Sequence, residues 1–106
     1  MQDRELLELA AKAAGYQVEW VKNSGCYYRC EEEIGREQWD PLEDDGDALR
    51  LAVKLRITPR VHLQGYSVAV TAQCIVDSYT EICGDDEMAA TRRAIVRAAA
   101  EIGKNI

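Results

Sequence analysis

Residues 39–57, WDPLEDDGDALRLAVKLRI, place a cluster of acidic residues directly in front of an apolar run. From Ala48 onward, alanine and leucine recur at i, i+3, i+4 and i+7, a spacing that predicts a helix over residues 45–56. Asp44 or Asp45 can accept hydrogen bonds from the unpaired amides in the first turn of this helix. Further acids there interact favourably with the positive end of the helix dipole. A Thr-Pro pair follows the run and ends the helix, because the residue before a proline avoids the helical region.

The same patterns predict the elements on either side of this helix. Apolar spacing predicts a first helix that is capped by Asp3 and stops at Gly15, and a last helix after Gly84 with Asp85 as its cap. Alternation and turn residues predict the strands. They are expected at residues 16–20, 26–34, 60–63, 66–76 and 79–83. Residues 35–42 are interpreted as a loop anchored by Trp39.

The predicted element order is α-β-β-α-β-β-β-α. Strands joined by short turns pair antiparallel, so we expect an α+β fold, with an antiparallel sheet of about four to five strands packed with three helices. A chain of 106 residues is expected to form a single domain, residues 1–106. No apolar run is long enough for a membrane span, which needs about 18 residues.

The charge of the chain is uneven. The net charge is −6, which argues against direct DNA binding because that requires a basic face. Residues 31–47 contain nine acids and one base, a local balance of −8, whereas the remainder of the chain sums to +2. The sequence therefore predicts a strongly acidic middle between two mildly basic ends.

Two interpretations of the acidic middle stay open. A calcium loop with Gly46 at its sixth position would begin at Pro41 and end at Ala52, and neither residue can serve as a side-chain ligand there. The acids therefore either cap the helix and keep the chain soluble, or form a surface that meets a basic protein groove as a mimic of nucleic acid. The residues of such a protein-interaction surface are Glu31, Glu32, Glu33, Asp40, Glu43, Asp44, Asp45 and Asp47.

Cysteine and histidine give a weaker signal. The spacing of the four cysteines, at positions 26, 30, 74 and 83, does not match a zinc site. His62 could activate Cys74 or Cys83 as a nucleophile, but nothing in the sequence brings them together. A structural histidine is the alternative. We therefore expect no metal, no cofactor and no enzymatic activity.

A second candidate site combines arginines of the last helix with aromatic side chains. Arginine forks and stacking rings can together hold a phosphate-bearing nucleotide. The candidate ligand-binding residues are Arg92, Arg93, Arg97, Tyr27, Tyr28 and Trp39. The alternative is a solvated helix face on which Arg97 pairs with Glu101. The alanine-rich last helix also allows close helix contact, within the chain or between subunits.

Three segments resemble one family of small proteins, of unknown function, that tailed phages and prophages encode. They are DRELLELAAKAAG at residues 3–15, DPLEDDGDALRLAVKL at 40–55 and ATRRAIVRAAAEIG at 90–103. Related sequences share a block that starts Trp-x-Pro-Leu, continues with acids and ends Gly-Asp-Ala, here residues 39–48. The family carries no known catalytic role, so no functional residue transfers from it.

The resemblance implies a phage accessory protein in the cytoplasm of an infected bacterial host cell. Such proteins often counter host antiviral defence. One expectation is a sponge, a homo-oligomer that sequesters a nucleotide immune signal without cleaving it. The alternative is an acidic protein-protein inhibitor of a host defence complex, similar to an anti-CRISPR that mimics nucleic acid. In either case the partner is a small nucleotide signal or a host protein, not DNA or a membrane.

Overall fold

The computed structural model describes residues 2–31, 35–64, 67–73, 78–82 and 86–106. Within these ranges the chain forms three helices and six strands, so the predicted α+β class is confirmed. In chain order the elements are α1 (Asp3–Ala14), β1 (Val18–Val21), β2 (Cys26–Glu31), β3 (Gly35–Trp39), α2 (Asp45–Leu55), β4 (Thr58–Gln64), β5 (Ser67–Gln73), β6 (Ser78–Ile82) and α3 (Glu87–Lys104).

The strands divide into two antiparallel three-stranded sheets, β1-β2-β3 and β4-β5-β6. Each sheet pairs only strands that are adjacent in the chain, and α2 separates the two groups. In the first sheet Trp20 lies opposite Tyr27, which in turn lies opposite Trp39. Antiparallel strands need only short connections, so each sheet forms from three consecutive strands. Helix α2 connects the last strand of the first sheet to the first strand of the second.

The prediction of a loop at residues 35–42 was wrong for its first half. Residues 35–39, GREQW, form β3, which pairs with β2 along its whole length. The apolar alternation that identifies a strand is missing, because residues 35–38 are exposed and only Trp39 is buried. The strand is therefore specified by its pairing with β2 and by one buried ring, neither of which a local pattern reports.

Two of the predicted helix caps were misplaced. Asp3 lies inside α1, and the capping position belongs to Gln2, which makes no side-chain capping bond. The cap of α3 is Asp86, whose carboxylate accepts a hydrogen bond from the Ala89 amide at 2.9 Å. Asp85 lies outside the described residues. Gly15 does end α1 as predicted, in the left-handed region at φ 74°.

The core forms where α3 packs against α1, α2 and the second sheet. Small side chains such as Ala10, Ala98 and Ala99 are buried between the helices. At Gly103 the backbones of α1 and α3 approach so closely that an added Cβ would lie 1.9 Å from the Leu9 carbonyl oxygen. The alanines of the last helix therefore make close helix contacts within the chain. No helix of the described residues is long and apolar enough to cross a membrane.

Candidate acidic groove

Five acidic residues of the middle segment line one concavity with a volume of about 460 Å³, which we call the acidic groove. It lies where the end of β3, the following turn and the start of α2 meet. Five carboxylates line it, together with one amide and one guanidinium. The lining residues are Glu37, Gln38, Asp40, Glu43, Asp44, Asp47 and Arg50.

The turn that leads into α2 shapes the floor of the groove. The Asp40 carbonyl oxygen accepts hydrogen bonds from the amides of Glu43, at 3.0 Å, and Asp44, at 2.8 Å. Asp44 then caps α2, because its carboxylate accepts from the Asp47 amide at 2.8 Å. The sequence prediction that Asp44 or Asp45 caps this helix is confirmed for Asp44. Capping and groove formation thus use the same residues.

Asp47 joins the turn to the helix. One of its carboxylate oxygens accepts a hydrogen bond from the Asp40 amide, and the other accepts from the Arg50 guanidinium, each at 2.9 Å. The hydrogen bond that Arg50 donates to Asp47 is the main cause that raises the pKa of Arg50. Because a backbone amide and a cation both hold this carboxylate, Asp47 keeps the groove in one shape.

Asp40 is a half-buried acid of the groove. Partial burial raises the pKa of its carboxyl group, and the carboxylates of Glu43 and Asp47 add to the rise. The hydrogen bond from the Leu42 amide, at 3.3 Å, acts in the opposite direction. Five carboxylates and one guanidinium line the groove, so a positively charged ligand would meet a negative lining.

The structure brings only part of the predicted interaction surface together. Asp40, Glu43, Asp44 and Asp47 share the groove, as described above. Asp45 is not part of the groove lining and pairs with Arg92 at 2.6 Å. Glu31 is the last residue of β2, and its side chain is not described. Glu32 and Glu33 lie outside the described residues.

Glu37 and Arg50 are groove residues that sequence reasoning missed. Glu37 falls in the segment predicted as a loop, whereas it belongs to β3, opposite Arg29 of β2. Arg50 is not among the residues of the predicted acidic surface, although it follows Asp47 at i+3 and bonds to it. The i,i+3 spacing of an acid and an arginine was the available signal for Arg50.

The three arginines predicted to bind a ligand contact carboxylates of other elements. Arg92 is mostly buried and also donates from Nε to the Leu42 carbonyl oxygen at 2.8 Å. Arg93 pairs with Asp3 at 3.1 Å, and Arg97 donates to Glu81 at 2.5 Å. These contacts connect α3 to α1, α2 and β6.

The three predicted aromatic residues lie in the first sheet. Tyr27 and Trp39 belong to the core, and the Tyr27 hydroxyl donates to the Glu8 carboxylate. Tyr28 is half-buried, with the Arg36 guanidinium 5.5 Å from its ring centre. The contacts given above do not join these rings to the α3 arginines. The nucleotide-binding site that combines them therefore stays a prediction.

Only some of the residues considered for catalysis or metal binding lie in the described ranges. His62 is half-buried on β4 and lies opposite Ala69 of β5. Its candidate partners Cys74 and Cys83 lie outside the described residues. Cys26 and Cys30 are free thiols on β2. Among the residues that the structure describes, no group of three His, Cys, Asp or Glu side chains could hold a metal ion.

Fold and site together define a small α+β domain that presents a concave acidic surface. No family model, no curated protein and no solved structure matches the chain. The functional argument therefore depends on the geometry of the groove and on the properties of its residues.

The cap of α2 gives a first testable prediction. Asp44→Ala removes the acceptor of the Asp47 amide, so we expect the free energy of unfolding to fall by about 1 kcal/mol. Urea denaturation followed by circular dichroism measures the change. Asp44→Asn keeps an oxygen acceptor and is expected to stay close to the wild-type value. Equal losses in the two variants would show that charge, not capping, is the contribution of Asp44.

Proposed function

We propose that this chain is a non-enzymatic binding protein whose acidic groove occupies a basic, nucleic-acid-binding surface of a protein partner. The observation that carries the proposal is the convergence of five carboxylates from β3, the turn and α2 on one concavity. Arg50 is the only cation in that lining, so the groove keeps a negative balance. Two smaller concavities, beside α1 and beside the start of α3, each include a single arginine.

The chemistry of arginine explains why such a groove can compete with nucleic acid. A guanidinium binds carboxylates and phosphates with the same planar fork, so a surface that selects phosphates also accepts spaced carboxylates. The hydrogen bonds of Asp44 and Asp47 hold part of the groove in place before binding. A preorganised acidic surface loses less entropy on binding than a flexible acidic tail.

The resemblance to small tailed-phage proteins suggests which kind of partner this is. A host antiviral defence complex that binds DNA or RNA presents a basic channel of the required chemistry, and the infected cytoplasm would contain it. An inhibitor that fills this channel needs neither a cofactor nor a catalytic group. The proposal therefore corresponds to the acidic inhibitor that the sequence raised as its alternative.

The sponge receives less support from the described contacts. Its three arginines contact carboxylates on neighbouring elements, and two of its aromatic rings belong to the core. A nucleotide phosphate would have to compete with those carboxylates. Titration calorimetry with cyclic dinucleotides and cyclic ADP-ribose isomers tests the sponge, and binding of any of them would favour it over an inhibitor.

The groove proposal predicts the result of a charge reversal. Glu37→Lys with Glu43→Lys changes two exposed groove residues and raises the net charge by four, without removing the Asp44 cap. Partners are captured from host lysate on the immobilised wild-type chain, and the captured nucleic-acid-binding protein is then titrated with each variant. We expect the double variant to bind at least about tenfold more weakly and not to displace the partner's nucleic acid.

A matched control separates the groove from net charge. Glu5→Lys with Glu101→Lys makes the same charge change on α1 and α3, away from the groove. We expect this control to bind and displace nucleic acid like the wild type, apart from a small long-range effect that added salt screens. Equal weakening in both double variants, or equal retention in both, would contradict a role for the groove.

A further inference from the structure

An exposed apolar surface runs along α2 and continues onto its neighbours; we call it the α2 patch. It consists of Leu49, Val53, Pro59, Val61 and Met88. Leu49 and Val53 lie one helical turn apart on α2 and are 63% and 71% exposed. Val61 of β4 and Met88 of α3 are 58% and 54% exposed. Clustered exposed apolar side chains of this kind mark interaction sites in soluble proteins.

The α2 patch contains a shallow cleft of about 220 Å³ between α2, the start of β4 and the first turns of α3. Leu49, Pro59 and Met88 line it, and Ala48 and Ile95 lie at its base. No described residue covers this cleft. Its lining is almost entirely apolar, so water inside it is easily displaced by an aliphatic side chain.

Opposite charges flank the patch along the axis of α2. Asp45 lies at the N-terminal end of the helix, where one carboxylate oxygen accepts a hydrogen bond from Arg92 and the side chain is still 59% exposed. Arg56 is exposed directly after the C-terminal end of the helix. Between them, Leu49 and Val53 continue the i,i+4 stripe that Asp45 begins. Arg56 follows Val53 at i+3 as the left-handed cap that ends the helix. The order from the start of α2 to its cap is therefore acid, apolar, apolar, base over about 16 Å, at 1.5 Å per residue.

This order is complementary to itself when it is reversed. If a second α2 packs antiparallel about a two-fold axis near residue 51, Leu49 of each copy meets Val53 of the other. The same axis brings Asp45 of each copy next to Arg56 of the other. In a two-fold interface every such contact occurs twice, so one stripe supplies two apolar and two ionic pairings.

We propose that the α2 patch binds a second copy of this chain and forms a two-fold symmetric dimer through antiparallel α2 helices. The acidic groove uses Asp47 and Arg50, which lie on a neighbouring stripe of α2, so the dimer keeps both grooves open. Two linked grooves would bind a repetitive basic surface more tightly than one. The dimer does not depend on the function proposed for the groove.

Sedimentation equilibrium of the full chain tests the proposal. The wild type is expected to move from monomer to dimer mass as its concentration rises through the micromolar range to about 0.5 mM. Val53→Glu places two acids beside the apolar contact at the axis, and we expect it to weaken association by at least about 100-fold. Ile106→Glu is the matched control, because it adds the same charge at a residue that is 69% exposed and outside the patch.

A charge exchange tests the orientation of the two copies. Asp45→Lys alone brings two cations together at each ionic contact, and Arg56→Asp alone brings two acids together. Each variant alone is expected to be monomeric at concentrations where the wild type is a dimer. An equimolar mixture restores an attractive pair at both contacts, so we expect the mixture to form a heterodimer. Asp45→Lys also removes the partner of Arg92 within the chain, so circular dichroism of each variant verifies that it is folded.

Two results would overturn the dimer, and a third would overturn its antiparallel arrangement. One is a wild-type chain that stays monomeric across the whole concentration range. The other is a dimer that Val53→Glu leaves as stable as the Ile106→Glu control does. A dimer that is lost in both charge variants but not restored in the mixture would exclude the antiparallel arrangement.

Discussion

Trp39→Ala is expected to lower the free energy of unfolding by about 3–5 kcal/mol, the usual loss when a buried aromatic side chain is deleted. Trp39 is 2% exposed at the end of β3 and lies opposite Tyr27 of β2. Its ring also packs edge-on against Tyr16, with ring centres 6.0 Å apart. The substitution removes these contacts together and leaves a cavity between the first sheet and the helices. Urea denaturation followed by far-ultraviolet circular dichroism measures the loss.

Trp20→Ala provides a matched control, because it deletes the same side chain from a half-buried position on β1. Its ring contacts Tyr27 at 5.0 Å between ring centres and lies under the Arg4 guanidinium. We expect a loss of about 1–3 kcal/mol, smaller than at Trp39 because less apolar surface returns to water. If Trp39→Ala cost no more than Trp20→Ala, Trp39 would be a surface residue and its assignment to the core would be wrong.

Gly103→Ala is expected to destabilise the chain by about 2–3 kcal/mol, although alanine is normally the better helix former. The new Cβ would lie 1.9 Å from the Leu9 carbonyl oxygen, and a backbone atom cannot move aside by rotating a side chain. Helices α1 and α3 must separate instead, which loosens the contacts of the alanines between them. Thermal unfolding monitored by calorimetry gives the change.

Gly46→Ala makes the same substitution in α2, where the new Cβ meets side-chain atoms and not backbone atoms. There the new Cβ meets side-chain atoms of Arg50 and Asp44 at 3.2 Å, and both side chains are exposed enough to adjust. We expect a change within about 0.5 kcal/mol of the wild type, since helix propensity and mild crowding oppose each other. A Gly103→Ala variant as stable as Gly46→Ala would disprove the close helix contact.

The sequence predicts one part of the acidic groove and not another. The cap at Asp44 follows from a local pattern, an acid before an apolar helical repeat, and the structure confirms it. The position of Glu37 does not follow from any local pattern, because GREQW becomes a strand only when it pairs with β2. The gathering of five carboxylates therefore required β3 to lie beside the first turn of α2.

The α3 arginines illustrate the same dependence on tertiary structure. Their helical spacing indicated a shared face available to a ligand, with pairing to Glu101 as the alternative for Arg97. In the folded chain Arg92, Arg93 and Arg97 contact acids on α2, α1 and β6, respectively. Sequence spacing reports neighbours within one helix, whereas these partners are brought together by the packing of separate elements.

By itself, the sequence determined the three helices, the antiparallel character of the strands, the left-handed stop at Gly15 and the acidic balance of the middle segment. Each of these depends on interactions between residues within about two turns of one another or on composition alone. Only the tertiary structure decided the division into two sheets, the existence of β3, the partners of the arginines and the shape of the groove. Those features depend on contacts between residues distant in the chain, and local periodicity contains no information about which distant surfaces meet.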